Sequence, residues 1–361
     1  MTTSISSVIK KLLLLFLIFA GLYFAKDFLM PLSIGGILAT LFLPFSNWLE
    51  KNKLPRGLAA FICLLVLVVI FASLVSILTW KISELLNDVA LIKEKTITTG
   101  TRMQEYIFNH LGISVEKQSQ ILKAEQPSLT NIMQSTLGSV SYIVTNLILI
   151  LAYVFFLLYS RVHIKTFFLK LTVSAQIGEM EKVLRSATNV SQQYLVGLSK
   201  MIVCLWVMYG IGFSFLGVKN PVFFAVLCGM LEIVPFVGNI TGTTLTVLIA
   251  ALHGGEFSML GGIVITYGIV QFIQGWVLEP LILGPQVKIN PLFTIIALVL
   301  GDLVWGIPGI ILAIPLTAIL KIIFDHIEPL KPYGFLIGEL ETEKNETSFM
   351  KKIKNILKIN V

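Results

Sequence analysis

The chain has 361 residues, of which 56% are hydrophobic and only 13% are charged, and its formal net charge is +7. A soluble domain carries about 25% charged residues, and several apolar segments here approach the ~20 residues that a helix needs to cross a bilayer. The composition excludes an ordinary soluble protein. It predicts an integral membrane protein with several spans. Together with the order of the apolar segments along the chain, it indicates an all-α, polytopic fold with about eight membrane segments.

The positive charge lies in short loops beside apolar spans. This arrangement follows the positive-inside rule, so the charge indicates orientation and not a nucleic-acid partner. The three cysteines, Cys63, Cys204 and Cys228, all fall within apolar stretches. They are interpreted as packing residues, and no disulfide framework is expected.

Residues 1–80 are predicted to form three transmembrane helices, at about 12–27, 31–49 and 57–80, with a turn near Met30–Pro31. The first apolar run follows two lysines and resembles a secretory signal. A second apolar run begins at once, which favours an uncleaved first helix.

Residues 81–137 differ in character, because charged and amide residues return with apolar residues at helical spacing. This pattern predicts an amphipathic helical segment outside the membrane. Residues 138–192 are predicted to contain the fourth span and a cytoplasmic amphipathic connector. The short basic loops place one side of the protein in the cytoplasm, with both termini there and 81–137 outside. The residues that carry this orientation are Lys10, Lys11, Lys51, Lys53, Arg56, Arg161, Lys165 and Lys170.

Residues 193–325 are predicted to form a transport core that begins with a fifth span and contains an internal repeat. A shift of 70 residues aligns Pro221 with Pro291 and Glu232 with Asp302. The repeat units are 221–252 and 291–322, and chance similarity between apolar helices is the alternative. Each acid is followed by residues that break a helix, namely Pro235 and Gly238 in the first unit and Gly306, Pro308 and Gly309 in the second.

Eleven residues of helix from Pro221 to Glu232 span about 17 Å, roughly half of the ~30 Å hydrocarbon layer. A break at that depth is tolerated only inside protein or beside a watery cavity, and discontinuous helices at the midplane often build transport sites. The two units are either broken spans or re-entrant hairpins, and the loop charges fit both.

Ionisable residues inside a membrane usually face a bundle interior or a cavity. Glu232 and Asp302 are therefore predicted to line a transport pathway or couple an ion. A structural role in capping a broken helix or pairing with lysine, or a shallower interfacial position, are the alternatives. Five further polar residues are candidates for the same pathway: Gln271, Gln274, Glu279, Asn239 and Thr241. The glutamines could instead bond neighbouring helices, Glu279 could cap a helix end, and the threonine could satisfy freed backbone groups.

No sequence motif indicates an enzyme. The four histidines form no HExxH, and there is no Walker loop or complete dinucleotide fingerprint. No cofactor and no metal site are expected, so active transport would depend on an ion gradient. The basic tail, 326–361, places apolar residues of 349–357 on one helical face. It is predicted to bind the anionic inner leaflet, with a solvated tail as the alternative.

Five motifs in this order resemble the autoinducer-2 exporter family, the bacterial PerM-like permeases. They are "YLVGL" at 194–198, "FLGVKNP" at 215–221, "LEIVPFVGN" at 231–239, "VLEPLILG" at 277–284 and "GIPGIILAIPLTAIL" at 306–320. The resemblance covers essentially the whole chain. It implies a multi-pass protein of the bacterial inner membrane that assembles as a homo-oligomer. Two departures, Asn239 for a frequent proline and Leu198 for a frequent glutamine, alter polar groups near the path.

Family roles include export of the furanone-type signal autoinducer-2, and sodium–proton antiport in some members. The resemblance therefore implies secondary transport or facilitated export of a small polar solute, with a proton or sodium ion as the coupling cation. A cation/proton antiporter that uses the same acids is one alternative. An oligomeric membrane scaffold that binds a partner through 81–137 is another, and it would lose its partner when that segment is removed.

Overall fold

The computed structural model describes residues 5–87, 114, 129–235 and 237–339. Its regular elements are helices. Within the described part of the chain there is also a single isolated β-bridge, between Ile289 and Gly338. The helices are α1 Ile5–Phe24, α2 Lys26–Lys51, α3 Arg56–Asn87, α4 Leu129–Leu171, α5 Ile177–Phe215, α6 Pro221–Leu231, α7 Val237–Leu252, α8 Phe257–Ile273, α9 Gly284–Val287, α10 Pro291–Trp305, α11 Ile307–His326 and α12 Lys331–Ile337. A π-helical segment, Gln274–Leu283, joins α8 to α9, and 3₁₀ turns occupy Ser174–Gln176 and Glu328–Leu330.

Among the described residues, six helices are long and apolar enough to cross a membrane. Four shorter apolar helices accompany them, including α6 and α10. Many large apolar side chains on these helices are exposed, as expected where lipid replaces water. The prediction of an all-α, polytopic membrane protein is confirmed.

The predicted turn near Met30–Pro31 is wrong, because the chain turns at Ala25 and α2 begins at Lys26. Pro31 and Pro44 both lie inside α2, and Pro31 is buried. A proline removes one backbone donor, but membrane helices tolerate it where packed neighbours and small local adjustments satisfy the freed carbonyl. Proline alone is therefore a weaker boundary signal here than in a soluble helix.

The connector predicted before the fifth span is continuous with that span. Together they form α5, a helix of 39 residues and about 58 Å, nearly twice the thickness of the hydrocarbon layer. Its first turns extend beyond the apolar part, and Glu181 forms a 2.9 Å ion pair there with Lys165 at the end of α4. Helix α3 extends into the predicted outer segment as far as Asn87, and α4 begins within that segment at Leu129. The remainder of 81–137, apart from Ser114, and the predicted tail helix at 349–357 lie outside the described residues.

Each repeat unit folds back on itself as a helical hairpin. In the first, α6 ends at Leu231, α7 begins at Val237, and Gly238 lies directly against the Leu231 carbonyl group. In the second, the turn is Gly306 alone, with φ of +65°, and Gly309 lies against the backbone of Gly301. The halves of a straight, broken span would not touch backbone to backbone. The geometry therefore favours hairpins over broken spans.

The two hairpins also begin alike, with an asparagine before a proline at the first helical position. Asn290 caps α10 by accepting a hydrogen bond from the backbone N–H of Leu292 at 2.9 Å. The last residue of α12 also contacts the beginning of α10, because the Asn290 N–H donates to the Ile337 carbonyl at 2.9 Å. Both ends of the second hairpin consequently lie on the same side of the protein.

Candidate functional site

Glu232 lies at the tip of the first hairpin, immediately after the last residue of α6. Its side chain is buried, with 5% of its surface exposed, beside an apolar core formed by α5, α6, α7 and α8. Gln274 Nε2, which is also buried, donates a hydrogen bond to Glu232 Oε1 at 2.6 Å. A buried carboxylate requires such a donor, because an unpaired charge loses its hydration without compensation.

Gln274 also connects Glu232 to a second acid. Its Nε2 lies 3.3 Å from Glu279 Oε1, so one amide group bridges the two carboxylates. Glu279 is exposed, whereas Glu232 and Gln274 are buried. The three side chains therefore form a short polar chain from the protein interior to its surface.

The π-helical segment makes this bridge possible. Gln274 is its first residue, and Pro280 lies inside it without a backbone N–H to donate. A wider turn accommodates the lost bond and changes the direction of the side chains, and such segments occur frequently at functional sites. On the other side of Glu232, Asn239 in the first turn of α7 brings its side-chain amide within reach of the carboxylate.

Glu232 and the two amide side chains beside it each have one buried oxygen atom without a hydrogen-bond partner among the described residues. These atoms are Glu232 Oε2, Asn239 Oδ1 and Gln274 Oε1. Buried acceptors in proteins almost always bind a donor, water or an ion. Their presence in one region makes it the candidate site for a group that supplies donors or positive charge.

Further polar side chains face the cluster from α5, α6 and α8. Tyr209, Cys228 and Tyr267 all lie close enough to Glu232 for its charge to act on them. Tyr209 also lies beside the Gln271 side chain. Sequence reasoning did not identify the two tyrosines as site residues. Each lies in an apolar helix where an aromatic residue is usually part of the core, and only the hydroxyl group distinguishes it.

Comparison with known proteins agrees with the membrane architecture. The family model described as "AI-2E family transporter" matches residues 12–328. This chain belongs to the AI-2E transporter family. It is 27% identical to YueF of Bacillus subtilis (strain 168) over 84% of this chain and 85% of YueF. It is 21% identical to the AI-2 transport protein TqsA of Escherichia coli (strain K12), over 91% of this chain and 95% of TqsA.

The family assignment makes this chain a multi-pass membrane transporter, and the family is not a class of enzymes. It confirms the resemblance predicted from the motifs. TqsA is named for AI-2, whereas YueF carries a name without a substrate. The names of these relatives therefore agree on transport but not on a substrate.

The structure of this AI-2E transporter places the predicted site residues in two groups. Glu232, Asn239, Gln274 and Glu279 lie together, and Gln271 adjoins them through Tyr209. Asp302 lies in the last turn of α10 with its side chain exposed, and Thr241 is also exposed.

The predicted break residues lie at the two hairpin turns. Pro235 is in the first turn, and Gly238 follows it at the start of α7. Gly306 forms the second turn, with Pro308 and Gly309 in the first turn of α11.

Proposed function

We propose that this AI-2E transporter moves a small polar solute outward, such as a furanone-type signal, by secondary transport or facilitated export. The buried cluster around Glu232 is the binding site in this proposal. The observation that carries it is a set of unpartnered acceptor oxygens around Glu232, which lies at the tip of a membrane hairpin. Hydroxyl groups of a solute would donate to these oxygens, since each buried acceptor gains free energy when it receives a donor.

The hairpin is the element that moves in this mechanism. The described residues of its tip, 232–235, are not α-helical, so it can shift with little loss of regular backbone bonding. Gln274 would release Glu232 when solute arrives and bond it again when solute leaves. A coupling cation, either a proton or sodium, would bind at Glu232 or at Asp302.

The proposal is tested by solute flux in proteoliposomes containing purified Glu232→Gln or Gln274→Leu. Glu232→Gln removes the charged acceptor, and Gln274→Leu removes the amide oxygen, to which the solute would donate. A hydrogen bond to a charged group is worth ~1.5–3 kcal/mol, so solute affinity should fall by about 10- to 100-fold in Glu232→Gln and by less in Gln274→Leu. Glu256→Gln is the matched control, because Glu256 is an exposed acid before α8. Unchanged flux and affinity in both site variants would refute the proposal.

Cation/proton antiport is the second candidate, and the Gln274 bridge favours it. A chain of two carboxylates joined by one amide offers a cation successive oxygen ligands between the surface and the interior. We expect antiport to require a titrating group at position 232, whereas a neutral solute also binds to hydrogen-bonding groups without charge. Glu232→Gln should abolish the pH dependence of sodium flux if antiport is the function. Asp302→Asn tests the other predicted acid in the same assay.

We also propose that the protein lies in a bacterial cytoplasmic membrane, with both termini in the cytoplasm, and assembles as a homo-oligomer. The short basic loops support the orientation, and charged contacts bring the end of α4, the start of α5 and the end of α11 to one end of the molecule. Lys165 pairs with Glu181, and Glu179 is electrostatically close to His326 and Lys331. Cysteine labelling from each side of the membrane tests the orientation, and labelling at positions along 232–242 and 302–310 also tests access to the hairpins. Cross-linking in membranes tests assembly.

A further inference from the structure

An open groove lies far from the Glu232 cluster, between the beginning of α3 and the last third of α4. Its cavity volume is about 1010 Å³, and its lining includes Arg56 and Gly57 from α3 and Tyr159, Ser160 and His163 from α4. A methyl group added at Gly57 would lie 3.7 Å from the Tyr159 ring. The absence of a side chain at Gly57 therefore helps to keep the groove open.

The groove is electrostatically positive because its neighbouring acid is already paired. Arg161 Nη2 lies 2.7 Å from both oxygens of Glu50, and Arg161 Nη1 donates to Ser46 Oγ at 3.0 Å. Arg56 approaches Glu50 only through its Nε, at 3.6 Å, and its side chain is 54% exposed. Arg56 lines the groove, and its guanidinium thus retains donors that a ligand there can reach.

The surroundings are those of a membrane interface. Leu58, Phe61 and Phe156 are exposed apolar side chains on the same two helices, as lipid-facing residues are. Tyr159 lines the groove, and the exposed Trp48 lies near the end of α2. Tyrosine and tryptophan are enriched where acyl chains meet headgroups. Positive donors and lipid-facing apolar residues therefore occur together at the ends of apolar spans.

We propose that this groove binds the phosphate headgroup of an anionic phospholipid. Arg56 donates to the phosphate oxygens, His163 and Ser160 add donors, and the acyl chains lie along Leu58, Phe61 and Phe156. Basic pockets between transmembrane helices are suited to anionic headgroups, and a planar guanidinium matches phosphate with two parallel hydrogen bonds. The bound lipid would join α3 to α4 beside the Arg161–Glu50 pair.

The test is binding of phosphatidylglycerol to the purified full chain in detergent, measured by native mass spectrometry, with phosphatidylcholine as the zwitterionic comparison. Arg56→Gln should weaken phosphatidylglycerol binding by ~10-fold, as expected for loss of a charge-assisted contact. Lys51→Gln is the matched control, because it removes one exposed positive charge at the end of α2. Gly57→Leu should narrow the groove beside Tyr159 and weaken binding while leaving every charge in place.

The proposal is overturned if Arg56→Gln binds phosphatidylglycerol as the parent does, or if Lys51→Gln weakens binding equally, since the attraction would then be diffuse. It is also overturned if millimolar inorganic phosphate displaces the lipid, which would make the groove a site for free anions. Thermal unfolding without added lipid shows whether each variant is folded. If Gly57→Leu does not fold, Gly57→Val provides the same test with a smaller side chain.

Discussion

Gly238→Ala tests whether the first repeat unit is a hairpin. The added methyl group would overlap the carbonyl group of Leu231 and lie 3.0 Å from the backbone nitrogen of Glu232. These are backbone atoms, so no side-chain rotation can relieve the overlap and the two helices must separate. Overpacking of a tight contact costs about 1–3 kcal/mol, and the cost here should reach the upper end of that range.

A loss of about 3 kcal/mol should lower the thermal midpoint in detergent by roughly 6 °C, taking ~2 °C per kcal/mol for a large domain. Gly268→Ala is the control, because a methyl group at Gly268 in α8 meets nothing within 4 Å. This control should be neutral or slightly stabilising, since alanine favours helix by ~0.5–1 kcal/mol over glycine. Equal midpoints for Gly238→Ala and Gly268→Ala would refute the hairpin packing.

Three further predictions concern contacts elsewhere, each measured by thermal unfolding in detergent. Gly309→Ala should destabilise by ~1–3 kcal/mol, because the methyl group would overlap the Gly301 backbone in the second hairpin, and a neutral result would contradict that packing. Arg161→Met should cost about 2 kcal/mol, a value reduced from ~3–5 because the pair with Glu50 is one-fifth exposed, and Arg161→Lys should recover only part of it. Trp305→Phe should lower the free energy of unfolding by ~1 kcal/mol, because it removes the 2.9 Å hydrogen bond to the Leu22 carbonyl. Trp276→Phe, at an exposed tryptophan, should leave the free energy of unfolding unchanged.

Much of the fold could be predicted because the signals were local. An apolar run of span length indicates a membrane helix, and an asparagine followed by proline indicates where α6 and α10 begin. The turn at Ala25 could not be predicted in this way, since nothing in its sequence breaks a helix while Pro31 nearby does. The length of α5 was also missed, because the change from amphipathic to apolar residues suggested a boundary where the backbone has none.

The candidate site was only partly predictable for a different reason. Glu232, Gln274 and Glu279 are polar residues in apolar stretches, and that contrast can be seen in the sequence alone. Their connection through a single amide depends on the π-helical turn, which widens the spacing along 274–283 and has no simple sequence signal. Tyr209 reaches the same cluster from α5, a contact between residues distant in the chain that periodicity cannot reveal.

The two acids that align in the repeat have different environments, and the hairpin turns explain why. In the first unit, α6 ends at Leu231 and turn residues 232–235 follow, so Glu232 lies past the end of its helix, with its side chain against Gln274. In the second, α10 continues to Trp305 and the turn is Gly306 alone, so Asp302 remains on the exposed face of a helix. The two acids therefore align in sequence but differ in burial and in hydrogen bonding. A buried carboxylate held by one amide can respond to a solute or an ion by exchanging that partner, whereas an exposed carboxylate has no such contact to exchange. If the repeat carries transport, we expect binding to depend chiefly on Glu232 and only weakly on Asp302.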